Sequence, residues 1–122
     1  MSEMKIELPF LPLSVNACFR ASKRGGVYKS KRYREFTAVM DEFFEKIDYE
    51  MLEGDLVLKV DFECKSKRKR DLDNLLKSLI DSLEGRLFEN DSQIIEIHAK
   101  KQIGCESDKT FIHLYQDHQT EG

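Results

Sequence analysis

The chain is short of the residues that would hold it together covalently or through zinc. Cys18, Cys64 and Cys105 are odd in number and none stands at a paired metal-binding spacing, which argues against both a disulfide framework and a zinc site. A reducing interior is the expected setting, the cytosol or its equivalent. Long apolar runs are missing as well. Nothing approaches the roughly 20 residues of a membrane span, and Met1-Ser2-Glu3-Met4-Lys5 lacks the hydrophobic centre of a secretory signal. Histidine is scarce: His98, His113 and His118 lie in or after the last expected strands and fit strand positions better than a ligand set. Excess positive charge is absent too. A formal net charge of −3 excludes a general cationic coat, so contact with nucleic acid would have to come from a patch.

What is present does form patches. Residues 1–70 hold 15 basic against 12 acidic side chains, and residues 71–122 hold 5 against 11, so the charge is split along the chain. Arg20 to Arg34 carries seven cations and no acid; Asp41 to Asp55 carries seven acids and one cation. At 122 residues, 40% of them hydrophobic, the chain is expected to form one globular domain over 1–122, without internal repeats or low-complexity tracts.

The two prolines punctuate the start. Lys5-Ile6-Glu7-Leu8 alternates as a strand and stops at Pro9, where the backbone N–H is lost. A turn-rich bend through Pro12 follows, and residues 20–30, with Gly25-Gly26, read as a mobile basic loop. Ser30 is a plausible N-cap for a helix over 31–49, whose Phe36, Val39, Met40, Phe43, Phe44 and Ile47 share one face. Leu56 to Lys65 alternates strictly, the pattern of a half-buried strand. From Leu72 the period changes to that of a helix, with Leu72, Leu75, Leu76, Leu79, Ile80 and Leu83 on one side and Gly85 placed just past the end. After a short connector, 94–103 and 110–116 read as two strands, most naturally paired as a hairpin around Gly104, and residues 117–122 as a frayed tail. The order β-α-β-α-β-β predicts an α+β, mixed α/β fold with about four strands in one sheet packed with two helices.

One stretch concentrates the chemistry. In Lys65-Ser66-Lys67-Arg68-Lys69-Arg70-Asp71-Leu72-Asp73-Asn74-Leu75-Leu76-Lys77, a run of cations ends in two carboxylates where strand gives way to helix. A phosphodiester attracted by the cations would arrive beside oxygen ligands suited to Mg²⁺. Hydrolysis needs the phosphate charge neutralised and a hydroxide-like nucleophile near neutral pH, and Mg²⁺ on two or three carboxylates supplies both. Asp91, ending a connector before a strand, is the best-placed third carboxylate; Lys77, one turn after Asp73, can reach the same phosphate. A plainer account is also open: Asp71 and Asp73 would serve the helix start through capping and the macrodipole. On that account the stripe Asp73, Lys77, Asp81 would form intrahelical ion pairs of about 0.3–0.5 kcal/mol each. For Asp81 that plainer account is preferred.

Arg70-Asp71-Leu72-Asp73-Asn74-Leu75-Leu76-Lys77, then Asp81-Ser82-Leu83 and Asn90-Asp91-Ser92-Gln93-Ile94, resembles the Arg-Asp-x-Asp-Asn-x-x-Lys…Asp…Asp-x-Gln signature of the RusA family of Holliday junction resolvases. Leu8-Pro9 and Leu11-Pro12-Leu13-Ser14-Val15-Asn16 is similar to that family's Pro-Pro-Ser-x-Asn opening, although Leu13 stands where a second proline is usual and the stretch from Gly85 to Asp91 is about one residue short. The resemblance implies Mg²⁺-dependent, paired nicking of four-way junction DNA by a homodimer, with Mn²⁺ able to substitute and no small-molecule cofactor beyond the metal. It assigns Asp71, Asp73 and Asp91 to the metal and Lys77 to catalysis.

The expectation is therefore a structure-selective endonuclease. Asn16, Arg20, Lys23, Arg24, Lys67, Arg68, Lys69 and Arg70 are its expected DNA contacts, mostly to backbone, so shape rather than base sequence should govern binding. Two alternatives stay open: a non-catalytic branched-DNA-binding module whose carboxylates only cap and pair, and a nuclease for flaps or other branched DNA. Two dimer surfaces are open as well, the acidic helix after Asp41 and the expected hairpin.

Overall fold

The computed structural model describes residues 3–13, 19–21, 27–68 and 70–117, with 19–21 and 27–29 described by their backbone alone. Asn16, Cys18, Lys23, Arg24, Lys69, His118 and the rest of the expected tail beyond 117 lie outside the described residues.

The sheet is built around its most apolar strand. In β4 (Leu56–Cys64), Leu56, Leu58, Val60, Phe62 and Cys64 alternate onto one face and are buried. That face carries both helices, α1 (Lys31–Glu45) and α2 (Leu72–Leu83), and Met40 and Phe44 of α1 join Leu75, Leu79 and Leu83 of α2 in a single core with the strand residues. On the other face Lys5, Glu7, Lys59, Asp61, His98, Lys100, Phe111 and His113 line a surface open to solvent. The outcome is the two-layer α+β arrangement expected, four strands and two helices.

Strand order corrects one expectation. The sheet runs β1 (Glu3–Leu8), β6 (Lys109–Gln116), β4, β5 (Ile94–Ile103); β6 is antiparallel to both neighbours, and β5 is parallel to β4. The strands over 94–103 and 109–116 therefore do not form the expected hairpin. Their connection crosses the end of β4, where Cys105 N–H donates to Cys64 O at 2.9 Å and Lys65 N–H donates to the Asp108 carboxylate at 2.8 Å. Those bonds hold the crossing loop on β4 and let β6, whose Thr110, Ile112 and Leu114 are buried, take the interior position.

Two smaller differences concern the first half. The basic stretch expected to be a loop contains a short antiparallel pair, β2 (Phe19–Ala21) and β3 (Val27–Lys29), separate from the main sheet. Helix α1 ends at Glu45 rather than 49; Ser30 caps its start as expected, its hydroxyl accepting from Tyr33 N–H at 3.1 Å. Past α2, Gly85 adopts φ 86°, a conformation that disfavours any side chain, and it turns the chain so that Leu87 and Phe88 drop into the core. Among the described residues no helix is long and apolar enough to cross a membrane.

Candidate active site

The packing of α2 decides which side chains reach solvent together. With Leu75, Leu79 and Leu83 committed to the core, helical geometry turns Asp73, Lys77 and Asp81 outward in one stripe. These three, with Leu76, Ile80 and Asp91, line one recess. Of the expected site residues, Asp73, Lys77 and Asp91 share this recess with Asp81, and Asp71 is not part of its lining. The intrahelical ion pairs of the plainer account are not formed: among the described residues Lys77 has no carboxylate within ion-pair range.

Asp71 stands apart from that lining. It occupies the N-cap position of α2 with extended backbone, yet its carboxylate bonds to no helix N–H; Oδ2 accepts from Asn74 Nδ2 at 3.3 Å. Capping therefore does not account for its carboxylate. Asp73 lies in the first turn, where negative charge is favoured by the helix dipole.

Asp91 is delivered by a tightly bonded turn. Residues 91–93 form one turn of 3₁₀ helix between Phe88 and β5, and the Asn90 side chain accepts from Ser92 N–H at 2.9 Å. Gln93 Oε1 accepts from the backbone N–H of Glu89 and of Asn90, both at 3.0 Å, while its Nε2 donates to Leu52 O at 3.2 Å and Gly54 O at 3.0 Å. From the other side, Asp91 N–H donates to Glu84 Oε2 at 2.8 Å. The backbone carrying the Asp91 carboxylate is thereby fixed to the end of α2 and to the segment before β4. Gln93, which stands in the family signature, and Glu84, which the sequence reading did not single out, are positioning residues. The Asn-x-x-Gln spacing of a capping box at 90–93 was a signal that could have found the first.

The basic run is anchored at both ends. Lys65 is tied to Asp108, and the carbonyl oxygen of Arg70 accepts from Lys101 Nζ on β5. Between them Lys67 and Arg68 are exposed, with Arg68 N–H donating to Ser66 Oγ at 2.9 Å. Arg70 is only half-exposed, and its Nε is buried without a partner. Burial pushes the Cys64 thiol up from its ordinary value, an effect that the nearby Arg70 charge partly offsets. Of the remaining expected DNA contacts, Arg20 is placed by its backbone in β2 and the others fall outside the described residues. His98 and His113 are strand residues: His98 contacts Glu96, and His113 Nε2 lies 2.7 Å from Glu3.

A recess lined by Asp73, Asp81, Asp91 and Lys77, beside a basic segment on a small α+β sheet, is a surface suited to phosphodiester chemistry on nucleic acid, that of a nuclease. The family model described as endodeoxyribonuclease RusA matches residues 9–115, so the chain belongs to the RusA family of endodeoxyribonucleases. A relative from Aquifex aeolicus (strain VF5), named crossover junction endodeoxyribonuclease RusA, is 30% identical over 105 residues, covering 84% of this chain and 83% of its own length.

Proposed function

We propose that the chain is a Holliday junction resolvase, cutting four-way DNA junctions by Mg²⁺-dependent phosphodiester hydrolysis as a homodimer. The observation that carries this reading is the recess whose lining brings Asp73, Lys77, Asp81 and Asp91 together.

The donor set suits a hard cation, because every charged acceptor in the recess is a carboxylate oxygen and none is sulfur or imidazole. Among the described residues no three acidic, histidine or cysteine side chains lie close enough to enclose an ion by themselves. That spread fits Mg²⁺, which is usually held through one or two carboxylates, several waters and substrate phosphate rather than in an all-protein cage. Asp73 and Asp91 would hold it. The ligand role of Asp71, two residues before Asp73 and outside the recess, rests on the family motif. Bound there, Mg²⁺ would neutralise phosphate charge and lower the pKa of a water toward neutrality.

The protein's own residues supply the rest. Lys77 shares the recess with these carboxylates and has no ion-pair partner among the described residues, so its ammonium would bond the scissile phosphate and stabilise charge on the leaving oxygen. Lys67 and Arg68 hold the duplex arm by phosphate contacts that carry no base information, and binding should weaken steeply as salt rises. Asp81 adds a third carboxylate to the recess and belongs in the test. A substrate with approximate two-fold symmetry requires two matched cuts, which two copies of a one-site chain provide.

The deciding experiment is cleavage of a synthetic mobile four-way junction with and without Mg²⁺, alongside flap and linear duplex DNA. The wild type should cut the four-way junction selectively and only with metal. Asp71→Asn, Asp73→Asn and Asp91→Asn should each keep junction binding while losing cleavage; Asp81→Asn should lose less. Equal cutting of all three DNAs rejects the resolvase reading, and normal cutting by Asp73→Asn and Asp91→Asn rejects the site.

A further inference from the structure

We propose that β5 pairs antiparallel with β5 of a second copy of this chain, about a two-fold axis through His98, joining the two sheets edge to edge. The proposal rests on the paired-cut reading above and assigns the surface that reading leaves open.

Strand β5 is the longest in the sheet at 10 residues and sits at its edge, with no strand among the described residues on its outer side. It also leaves large apolar side chains uncovered: Ile95 is 51% exposed, Ile97 43% and Ile103 52%. A long, exposed, apolar edge is a template for another strand, and single-copy proteins guard such edges with lysine, proline or short length. Proline and short length are absent here, and Lys101 is drawn back to the Arg70 carbonyl. Lys100 stays exposed and reaches Asp61 of β4 at 3.7 Å, and Glu96 contacts His98 of its own strand, so each would exchange a weak surface contact for the partner's opposite charge. A bulge sits at its start, where Leu56 faces Ile94 and Val57 faces Glu96, leaving Ile95 as the extra residue; beyond it the strand is regular from Glu96 onward.

The regular part is complementary to itself in one register. With His98 on the axis, Glu96 of each copy faces Lys100 of the other on the open side of the sheet, and Ile97 faces Ala99 on the helix side. Two reciprocal ion pairs thus flank the axis above an apolar quartet. Moving the axis to Ala99 sets His98 against Lys100 and Ile97 against Lys101, while moving it to Ile97 leaves Lys100 against Ile94. Both alternatives give up one or both complementary sets.

Edge-to-edge pairing keeps the helices of both copies on one side. Because β5 starts at Ile94, three residues past Asp91, and packs beside α2, the two recesses would open on that shared side, facing one DNA molecule.

Two measurements test the pairing. In the intact protein, His98→Cys places two thiols across the axis, where paired strands have Cα atoms about 4.5–5.5 Å apart, within disulfide reach. Mild oxidation should therefore produce a covalent dimer on a non-reducing gel, whereas Lys100→Cys, about 14 Å from its own copy by strand geometry, should give no more than the wild type. In sedimentation, Glu96→Lys should weaken the dimer at least tenfold by setting lysine against lysine on both sides of the axis, and Glu96→Lys combined with Lys100→Glu should restore it. A monomeric wild type, a Lys100→Cys cross-link equal to that of His98→Cys, or a Glu96→Lys protein that dimerises normally overturns the proposal. A dimer formed elsewhere that still cuts junctions sinks only this surface; a β5 dimer that cuts no DNA sinks the functional reading and leaves the surface standing.

Discussion

Replacing Gln93 tests whether the Asp91 carboxylate is held where it is by bonding rather than by chance. The Gln93→Ala change removes four hydrogen bonds at once, two to the turn at 89–90 and two to the carbonyls of Leu52 and Gly54. Most of that network is solvent-accessible, so a net value near the lower part of the usual range applies, about 0.5–0.8 kcal/mol each. The sum is about 2–3 kcal/mol, and a chain of this size should lose roughly 10 °C in Tm by calorimetry. Gln93→Glu dissects the clamp. It keeps the acceptor for Glu89 and Asn90 but turns an oxygen toward two carbonyls, so the attachment to residues 52–54 fails while the turn survives. Measured well below both Tm values, junction cleavage should fall about 10- to 100-fold in both variants, because displacing a catalytic group by about 1 Å can cost that much. A Gln93→Ala protein that melts within about 2 °C of wild type and cleaves normally would refute the reasoning.

Three further outcomes follow from other parts of the molecule. Leu79 is fully buried between α2 and the sheet, so Leu79→Ala should cost about 2–5 kcal/mol in urea unfolding; a loss under about 1 kcal/mol would mean that the helix does not seal the core. The Glu3 carboxyl is held below the usual carboxylate range chiefly by its hydrogen bond to His113. A depressed folded value means that its contribution is present above the unfolded pKa and disappears as pH falls through the folded one. In His113→Ala the Glu3 resonance should titrate higher by NMR, and an unchanged midpoint would contradict the contact. Cys64 is fully buried and burial raises its thiol pKa, so maleimide at neutral pH should label half-buried Cys105 in the native protein and reach Cys64 only on unfolding. Equal labelling of the two by peptide mapping would be the contrary result.

What could be read ahead of the structure was governed by periodicity. The alternation of β4 and the 3.6-residue spacing of α2 each report which face meets the core, so both elements and the Gly85 stop were foreseeable. Alternation says nothing about neighbours. It marked 94–103 and 109–116 as strands, but only the bonds of the crossing loop to Cys64 and Lys65 tell that β4 lies between them. The same limit applied to the charged stripe. Spacing placed Asp73, Lys77 and Asp81 on one line, while whether they pair or face a recess depends on what the chain beyond Gly85 brings opposite them. That is Asp91, fixed through Glu84 and through Gln93 to carbonyls 39 and 41 residues earlier, partners that no local pattern reveals.

The interior place of β6 has a consequence for how the chain reaches its shape. β6, the last of the described strands in sequence, joins β1 to β4 from the middle of the sequence, Glu3 lying against Tyr115 and Val57 against the same residue from the other side. Before residues 109–116 are made, nothing links β1 to β4 in the sheet, and only contacts distant in sequence can do so. Such a topology folds slowly and leaves sticky margins bare in the meantime. Loss of even a few residues from the 109–116 segment would therefore split the sheet in two rather than trim its rim.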